Sequence, residues 1–156
     1  MLYERSRAGA ATIDLARDLA EHENAMLTVV AVAPQAPSGP RCGNSAVEYN
    51  EAVAEAVAHD LDEARARLGQ ACDRAAFVLL VDGADQTLEQ LARSGGFDLV
   101  LLPARRRPLR RGAYHPGAAR LRVTGVGEIR IVEPASQSQP PSRLQPRPPQ
   151  PGVAAD

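Results

Sequence analysis

The stretch that decides the fold is AMLTVVAVA, residues 25–33, which is almost entirely apolar, rich in β-branched residues and followed by Pro34. A strand that is apolar on both faces is typical of the interior of a parallel sheet covered by helices. Apolar residues recur at helical spacing on both sides of it, over residues 7–22, with Ser6 as the expected N-cap, and over residues 45–71. This order of helix, strand and helix predicts an α/β domain.

The rest of the chain continues the alternation of strands and helices. The predicted elements are a strand at 76–81, a helix at 86–93, a strand at 98–102, a weak helix at 116–122 and a strand at 128–132. We expect Asp85 to cap the helix at 86–93 and Gly95 to end it in a left-handed conformation. Right-handed crossovers then give an open, mostly parallel sheet with helices on both faces. The strand at 128–132 alternates apolar and polar residues, which is typical of an edge.

Proline and charge divide the chain and exclude several functions. Of 13 prolines, seven lie between Pro134 and Pro151, so we predict one domain at 1–133 and a Pro-rich disordered tail at 134–156. All 18 basic residues are arginine and 19 residues are acidic, which excludes lysine chemistry and predicts no general affinity for nucleic acid or anionic membranes. We expect a cytoplasmic protein, because no signal-peptide pattern and no apolar stretch of about 20 residues is present.

Three stretches resemble the universal stress protein family: residues 23–32, 81–92 and 97–102. The resemblance covers about residues 2–133 and implies a Rossmann-like sheet of five strands, a homodimer formed through the last strand, Glu128 to Val132, and a role in stress adaptation. It further implies that the first strand is central and ends at an acidic residue, which contacts the adenosine of ATP in members that bind it. Glu4 matches that position, and Ser6 matches a serine that starts the next helix.

The first strand is truncated, because Leu2 to Glu4 match only its end. Such a short segment would leave a gap in the middle of a parallel sheet. Two explanations remain: the coding start lies upstream of Met1, which we favour, or the fold tolerates a short central strand.

The glycine-rich phosphate loop of ATP-binding members has no counterpart here. At the family's three glycine positions the sequence has Pro103, Arg106 and Pro116. Proline has no N–H to offer a phosphate, and the Cβ of arginine crowds a close anion. We therefore predict no cofactor and no ATP binding of the usual kind. The alternative is ATP held by a different set of residues: Glu4, Ser6, Val32, Arg105, Arg106, Arg107, Gly112 and Gly117.

Five arginines among residues 105–111 follow the carboxyl end of a predicted strand, where open α/β sheets bind ligands. The simplest interpretation is a solvated basic loop without a ligand. The second is a site where arginine forks bind phosphate, and the least favoured is a contact with nucleic acid. His115 in the same loop could touch an anionic ligand. No catalytic or metal-binding pattern is present, so we predict a non-enzymatic module that contacts a protein partner, with weak ATP hydrolysis left open.

Overall fold

The computed structural model describes residues 1–36, 45–82, 87–105 and 114–134, and these form an α/β arrangement of parallel strands and helices. The elements are α1 (Arg7–His22), β1 (Leu27–Ala33), α2 (Ser45–Leu68) with a 3-10 turn (Gly69–Arg74), β2 (Ala75–Val81), α3 (Leu88–Gly95), β3 (Leu99–Pro103), α4 (Ala118–Arg122) and β4 (Glu128–Val132). The predicted tail from residue 135 onward lies outside the described residues and stays a prediction.

The sheet consists of two parallel pairs joined by the first residues of the chain. β1 pairs with β2, and β3 pairs with β4. Between them, the Tyr3 N–H donates to the Val30 carbonyl at 2.7 Å, and the Leu2 N–H donates to the Leu101 carbonyl at 2.9 Å. The spatial order is therefore β2, β1, residues 1–3, β3, β4.

The fifth, central strand is reduced to a single bridge between Leu2 and Val30. The predicted parallel α/β fold is confirmed, and so is the central place of the first residues, but the described residues contain four regular strands, so the count of five is not confirmed. Pro103 helps to explain why the ladder stops on the β3 side. The next bond of a parallel ladder would run from the N–H of residue 103 to the Leu2 carbonyl, and proline has no N–H.

Helix ends follow local side-chain chemistry. The Ser6 hydroxyl accepts the Gly9 N–H at 2.9 Å, as expected for the N-cap of α1. The expected cap of α3 is wrong: Thr87, not Asp85, caps it, because the Thr87 hydroxyl and the Gln90 side chain each bond the other residue's backbone N–H. The left-handed residue is Gly96, at φ 58°, one position later than predicted.

Two apolar clusters cover the two faces of the sheet. Tyr3 belongs to the cluster under α1 and α2, and its neighbour Leu2 belongs to the cluster under α3 and α4. Successive side chains of an extended chain point to opposite faces, so residues 1–3 behave as a strand in packing as well as in hydrogen bonding. The prediction of helices on both faces is confirmed. No helix within the described ranges has the length and apolarity to cross a bilayer.

Candidate functional site

Glu4 and Arg105 meet at the carboxyl edge of the sheet, where the chain leaves the 1–3 segment and β3. The first connection turns to α1 on one face, and the second leads toward α4 on the other. A crevice outside such a topological switch point is where open α/β sheets bind ligands. The described part of this edge therefore carries the candidate site.

Arg105 grips the Glu4 carboxylate with two nitrogens. Its Nε lies 3.1 Å from Oε2 and 3.2 Å from Oε1, and its Nη2 lies 2.5 Å from Oε1. The backbone of Arg105 is fixed as well, because its N–H donates to the Tyr114 carbonyl at 2.7 Å. The Arg105 side chain remains 54% exposed, so one side of the fork faces solvent.

His115 is the second partner of Glu4, and only 5% of its surface is exposed. Its Nδ1 accepts the Gly117 N–H at 3.0 Å. A nitrogen that accepts carries no proton, so the proton of the neutral ring sits on Nε2, which faces Glu4 Oε1 at 3.4 Å. Glu4 is thus held by a guanidinium on one side and an imidazole N–H on the other.

These partners decide the charge of Glu4. Burial raises the pKa of its carboxyl, but the hydrogen bonds from His115 and Arg105 and the charge of Arg105 outweigh burial, so the net pKa is lowered. The hydrogen bond to Glu4 is also the main reason why the pKa of Arg105 is raised. The pair is therefore ionised throughout the neutral range.

The backbone of Glu4 rests against α1 at a position that accepts only glycine. A Cβ on Gly9 would lie 1.8 Å from the Glu4 carbonyl oxygen. Gly117 is restricted in a milder way, since a Cβ there would approach His115 Nδ1 at 3.2 Å. A side chain at either position would therefore press on a residue of the site.

Structure comparison supplies the fold family. No family model matches the sequence, and no curated protein matches it. A universal stress protein family structure from Burkholderia pseudomallei aligns with a TM-score of 0.62 at 20% identity, over 86% of this chain and 92% of that one. The universal stress protein UspA from Lactobacillus plantarum aligns with a TM-score of 0.68 at 15% identity, over 84% of this chain and 93% of that one. The fold is that of the universal stress proteins.

Within this universal stress protein fold, the structure brings together part of the predicted nucleotide set. Glu4 and Arg105 are in direct contact, and Gly117 joins them through His115. Ser6 is adjacent in sequence, but its hydroxyl is occupied as the cap of α1. Val32 packs with the apolar cluster under α3 and α4. Arg106, Arg107 and Gly112 lie outside the described residues.

The pairing of His115 with Glu4 was not foreseen from the sequence, which suggested only that His115 could contact an anionic ligand. The two residues are 111 positions apart, and no local pattern links them. The available signal was indirect: the loop that holds His115 returns to the edge at which Glu4 was expected. Among the described residues, no group of three or more potential metal ligands comes together.

A cleft of about 720 Å³ opens at the opposite, amino edge of the sheet, beneath Met1. Its walls come from the ends of α1 and α3 and from the first residues of β1 and β3, which extend two positions further than the 1–3 segment. The Met1 amine donates to the Thr28 carbonyl at 2.5 Å, and burial lowers the pKa of this amine to about 5. The gap expected in the sheet is thus present at its amino edge.

Proposed function

We propose that this chain is a regulatory or interaction module of stress adaptation that does not bind ATP in the manner usual for universal stress proteins. The observation that carries the proposal is that the Glu4 carboxylate already has partners within the chain. Its carboxylate is bonded to Arg105 and His115, so the acidic residue that would receive the adenosine is already occupied. We propose no catalytic residue.

Two costs oppose a nucleotide at this edge. A ligand hydroxyl that bonds Glu4 must displace a charge-assisted fork, and a phosphate that bonds Arg105 must displace the Glu4 carboxylate. Pro103, fully buried at the end of β3, contributes no N–H to a phosphate cradle. A half-exposed ion pair contributes about 0–1 kcal/mol, and the cost of displacing it adds to the N–H that Pro103 cannot donate.

The alternative function is nucleotide binding that uses Glu4 and the arginine loop in place of glycines. The half-exposed fork of Arg105 at the topological switch point favours it. A phosphate that replaced Glu4 on Arg105 would leave His115 to stabilise the released carboxylate. Nucleic-acid binding through the same loop is the third candidate, and it requires affinity that falls steeply with salt.

For the output of the module we propose contact with a protein partner and a homodimer formed through β4, Glu128–Val132. In support, β4 pairs with β3 on one side, and no described residue pairs with its other edge. A cytoplasmic location also stays a prediction.

Titration of the full chain with ATP and Mg²⁺, followed by thermal unfolding and calorimetry, tests the proposal. We expect no saturable rise of Tm for the wild type at millimolar ATP. A saturable rise that disappears in Arg105→Ala but persists in the matched variant Arg93→Ala, on the exposed end of α3, would establish the nucleotide-binding alternative instead. Retention of single-stranded nucleic acid at low but not at moderate salt would favour the third candidate.

A further inference from the structure

The buried imidazole of His115 holds the turn that leads into α4. Its Nδ1 accepts the Gly117 N–H at 3.0 Å, and the His115 carbonyl accepts the Ala118 N–H at 3.2 Å. Asparagine closes turns in the same way, by bonding the backbone two residues further on. Gly117, the residue that precedes α4, has no side chain with which to cap the helix. His115 therefore supplies the polar contacts at the start of α4.

α4 depends on this turn and on its packing, because it has only five residues. A helix of one or two turns is not stable by itself in water. Its packing comes from Ala118 and Leu121, which are buried in the apolar cluster under α3 and α4. Arg122 and Val123, at its end, are exposed. Elements held by so few buried contacts are the ones that open locally in a folded protein.

Only the neutral form of the His115 ring fits this arrangement. An imidazolium carries a proton on both nitrogens and accepts no hydrogen bond, so the Gly117 N–H would lose its partner whichever way the ring is turned. The other nitrogen, Nε2, lies 3.4 Å from Glu4 Oε1, the oxygen that Arg105 Nη2 binds at 2.5 Å. The charge of Glu4 attracts a proton to the ring, but this charge is already shared with the guanidinium. Protonation of the ring and its bond to Gly117 therefore exclude each other.

This imidazole is also the described group at the carboxyl edge of the sheet whose charge changes between about pH 5 and pH 8. The lowered pKa of Glu4 keeps its carboxylate ionised over that range, and arginine side chains stay charged. Arg120 of α4 is directed to Glu89 of α3, at 3.9 Å. Arg5, which follows Glu4, is directed to Glu63 of α2, at 3.2 Å. A change of charge in the turn before α4 therefore comes from the imidazole.

We propose that the bond from Gly117 to His115 is a pH-sensitive switch: when the ring takes up a proton, the bond breaks and the turn before α4 opens. Opening moves Ala118 and Leu121 away from the apolar cluster under α3 and α4 and uncovers that cluster. The open form binds the proton and the closed form does not, so opening is favoured as the pH falls. An exposed imidazole takes up its proton near about pH 6.5, so the ratio of open to closed forms should rise about tenfold from pH 7.5 to pH 5.5.

The output of this switch rests on the proposed function, because α4 lies against β4, the strand proposed for the homodimer. An uncovered apolar cluster beside β4 changes the surface that a partner meets. The opening of α4 itself does not depend on a dimer or on ATP. A chain that stays monomeric would remove the output and leave the opening of α4 measurable, so the two proposals fail separately.

Amide hydrogen exchange of the full chain at pH 7.5 and pH 5.5, corrected for the intrinsic effect of pH on exchange, tests the switch. The Leu121 N–H donates to the Gly117 carbonyl at 3.0 Å, and we expect its protection to fall about tenfold at the lower pH. The buried Met1 amine titrates in the same range, so the amides of β1 beside it are the internal reference. Equal losses of protection in α4 and β1 would show a general loss of stability and overturn the proposal.

His115→Asn is the decisive variant. Asparagine bonds the backbone N–H two residues further on, as His115 does, but it does not titrate. We expect α4 of this variant to keep the same protection at both pH values. His59→Asn, at an exposed position of α2, is the matched control and should behave as the wild type. A loss of protection in His115→Asn that follows pH as in the wild type would overturn the proposal.

An NMR titration of the wild type keeps the test decisive if His115→Asn does not fold. We expect the chemical shifts of the His115 ring and of the Gly117 amide to change with the same midpoint, because one proton breaks the bond between them. A ring that titrates while the Gly117 amide shift stays constant would overturn the proposal. Protection of α4 that is the same at pH 7.5 and pH 5.5 would overturn it as well.

Discussion

Gly117 donates its backbone N–H to His115 Nδ1 at 3.0 Å, and this one bond determines which ring nitrogen faces Glu4. Because Nδ1 accepts, the Nε2 proton is directed at the carboxylate. His115 therefore connects the loop before α4 to the end of the 1–3 segment.

Replacing His115 with alanine removes both of its bonds and leaves the half-buried Gly117 N–H without its partner. We expect a loss of about 1–3 kcal/mol in the free energy of unfolding and a rise in the pKa of Glu4, because a hydrogen bond to its ionised form is gone. Denaturant unfolding measures the first, and a carboxyl NMR titration measures the second. His59→Ala, at an exposed position of α2, is the control, and equal losses in both variants would contradict a special role for His115.

Glu4 makes the free energy of unfolding depend on pH, and the direction of its pKa shift fixes the direction of that dependence. Its pKa is lower in the folded chain than in the unfolded one, so the unfolded chain binds more protons in this range. The stabilisation is complete above the unfolded pKa, near 4.5, and is lost as the pH falls through the folded pKa. We expect Glu4→Gln to flatten the decline in stability below pH 5, and Glu21→Gln on the outside of α1 to leave it unchanged. A slope that Glu4→Gln does not change would show that the contact is absent in solution.

Gly9→Ala should destabilise the domain although alanine is the better helix former. The new Cβ would lie 1.8 Å from the Glu4 carbonyl oxygen, so the backbone of the site must move. We expect a net loss of about 1–3 kcal/mol from overpacking. Ala11→Gly, in the same helix, loses only about 1 kcal/mol of helix propensity. Stabilisation by Gly9→Ala in thermal unfolding would refute the close contact.

In the 156-residue chain, the buried α-amine of Met1 predicts a second dependence of stability on pH. This group is a base, whereas Glu4 is an acid. Burial lowers its pKa from 8.0 to about 5, so the unfolded chain binds more protons between these values and stability rises with pH across that window. The slope is at most about 1.4 kcal/mol per pH unit. Adding two apolar residues before Met1 replaces the amine by a peptide N–H and extends the ladder into the cleft. We expect this change to abolish the slope and raise Tm, whereas adding two aspartates should lower Tm.

Thr87→Ala should lower the free energy of unfolding by about 0.5–2 kcal/mol, because it removes one half of the capping box of α3. Asp85→Ala, at the position that the sequence favoured for the cap, should change the free energy of unfolding by less than about 0.5 kcal/mol. Urea unfolding of the two variants distinguishes the two caps directly. The reverse ranking would restore Asp85 as the cap.

Elements governed by local chemistry were predictable from the sequence. The predicted and observed bounds of α1 agree, because Ser6 and the apolar spacing define them within a few residues. The bounds of β4 agree because its apolar and polar residues alternate clearly. β1 begins at Leu27, not at residue 25, because Met26 is 81% exposed and has no neighbouring strand to pair with. Strand ends depend on partners elsewhere in the chain, which composition does not reveal.

The candidate site was predictable only in part, for the same reason. Glu4 and Arg105 are 101 positions apart, and they were assigned to one site by the resemblance and by the rule for carboxyl ends of strands. That their side chains satisfy each other is a property of three-dimensional geometry. The same is true of His115, whose buried position depends on the path of the loop before α4.

The hydrogen bond from Leu2 to Leu101 also constrains how the chain folds during synthesis. Leu2 and Tyr3 form the seam of the sheet, yet one side of that seam does not exist until β3 has been translated. Until then β1 and β2 can form only half of the domain, and the apolar side chain of Leu2 stays exposed to solvent. The rate at which β3 emerges, and any chaperone that shields residues 1–3 until then, should therefore influence the yield of folded protein.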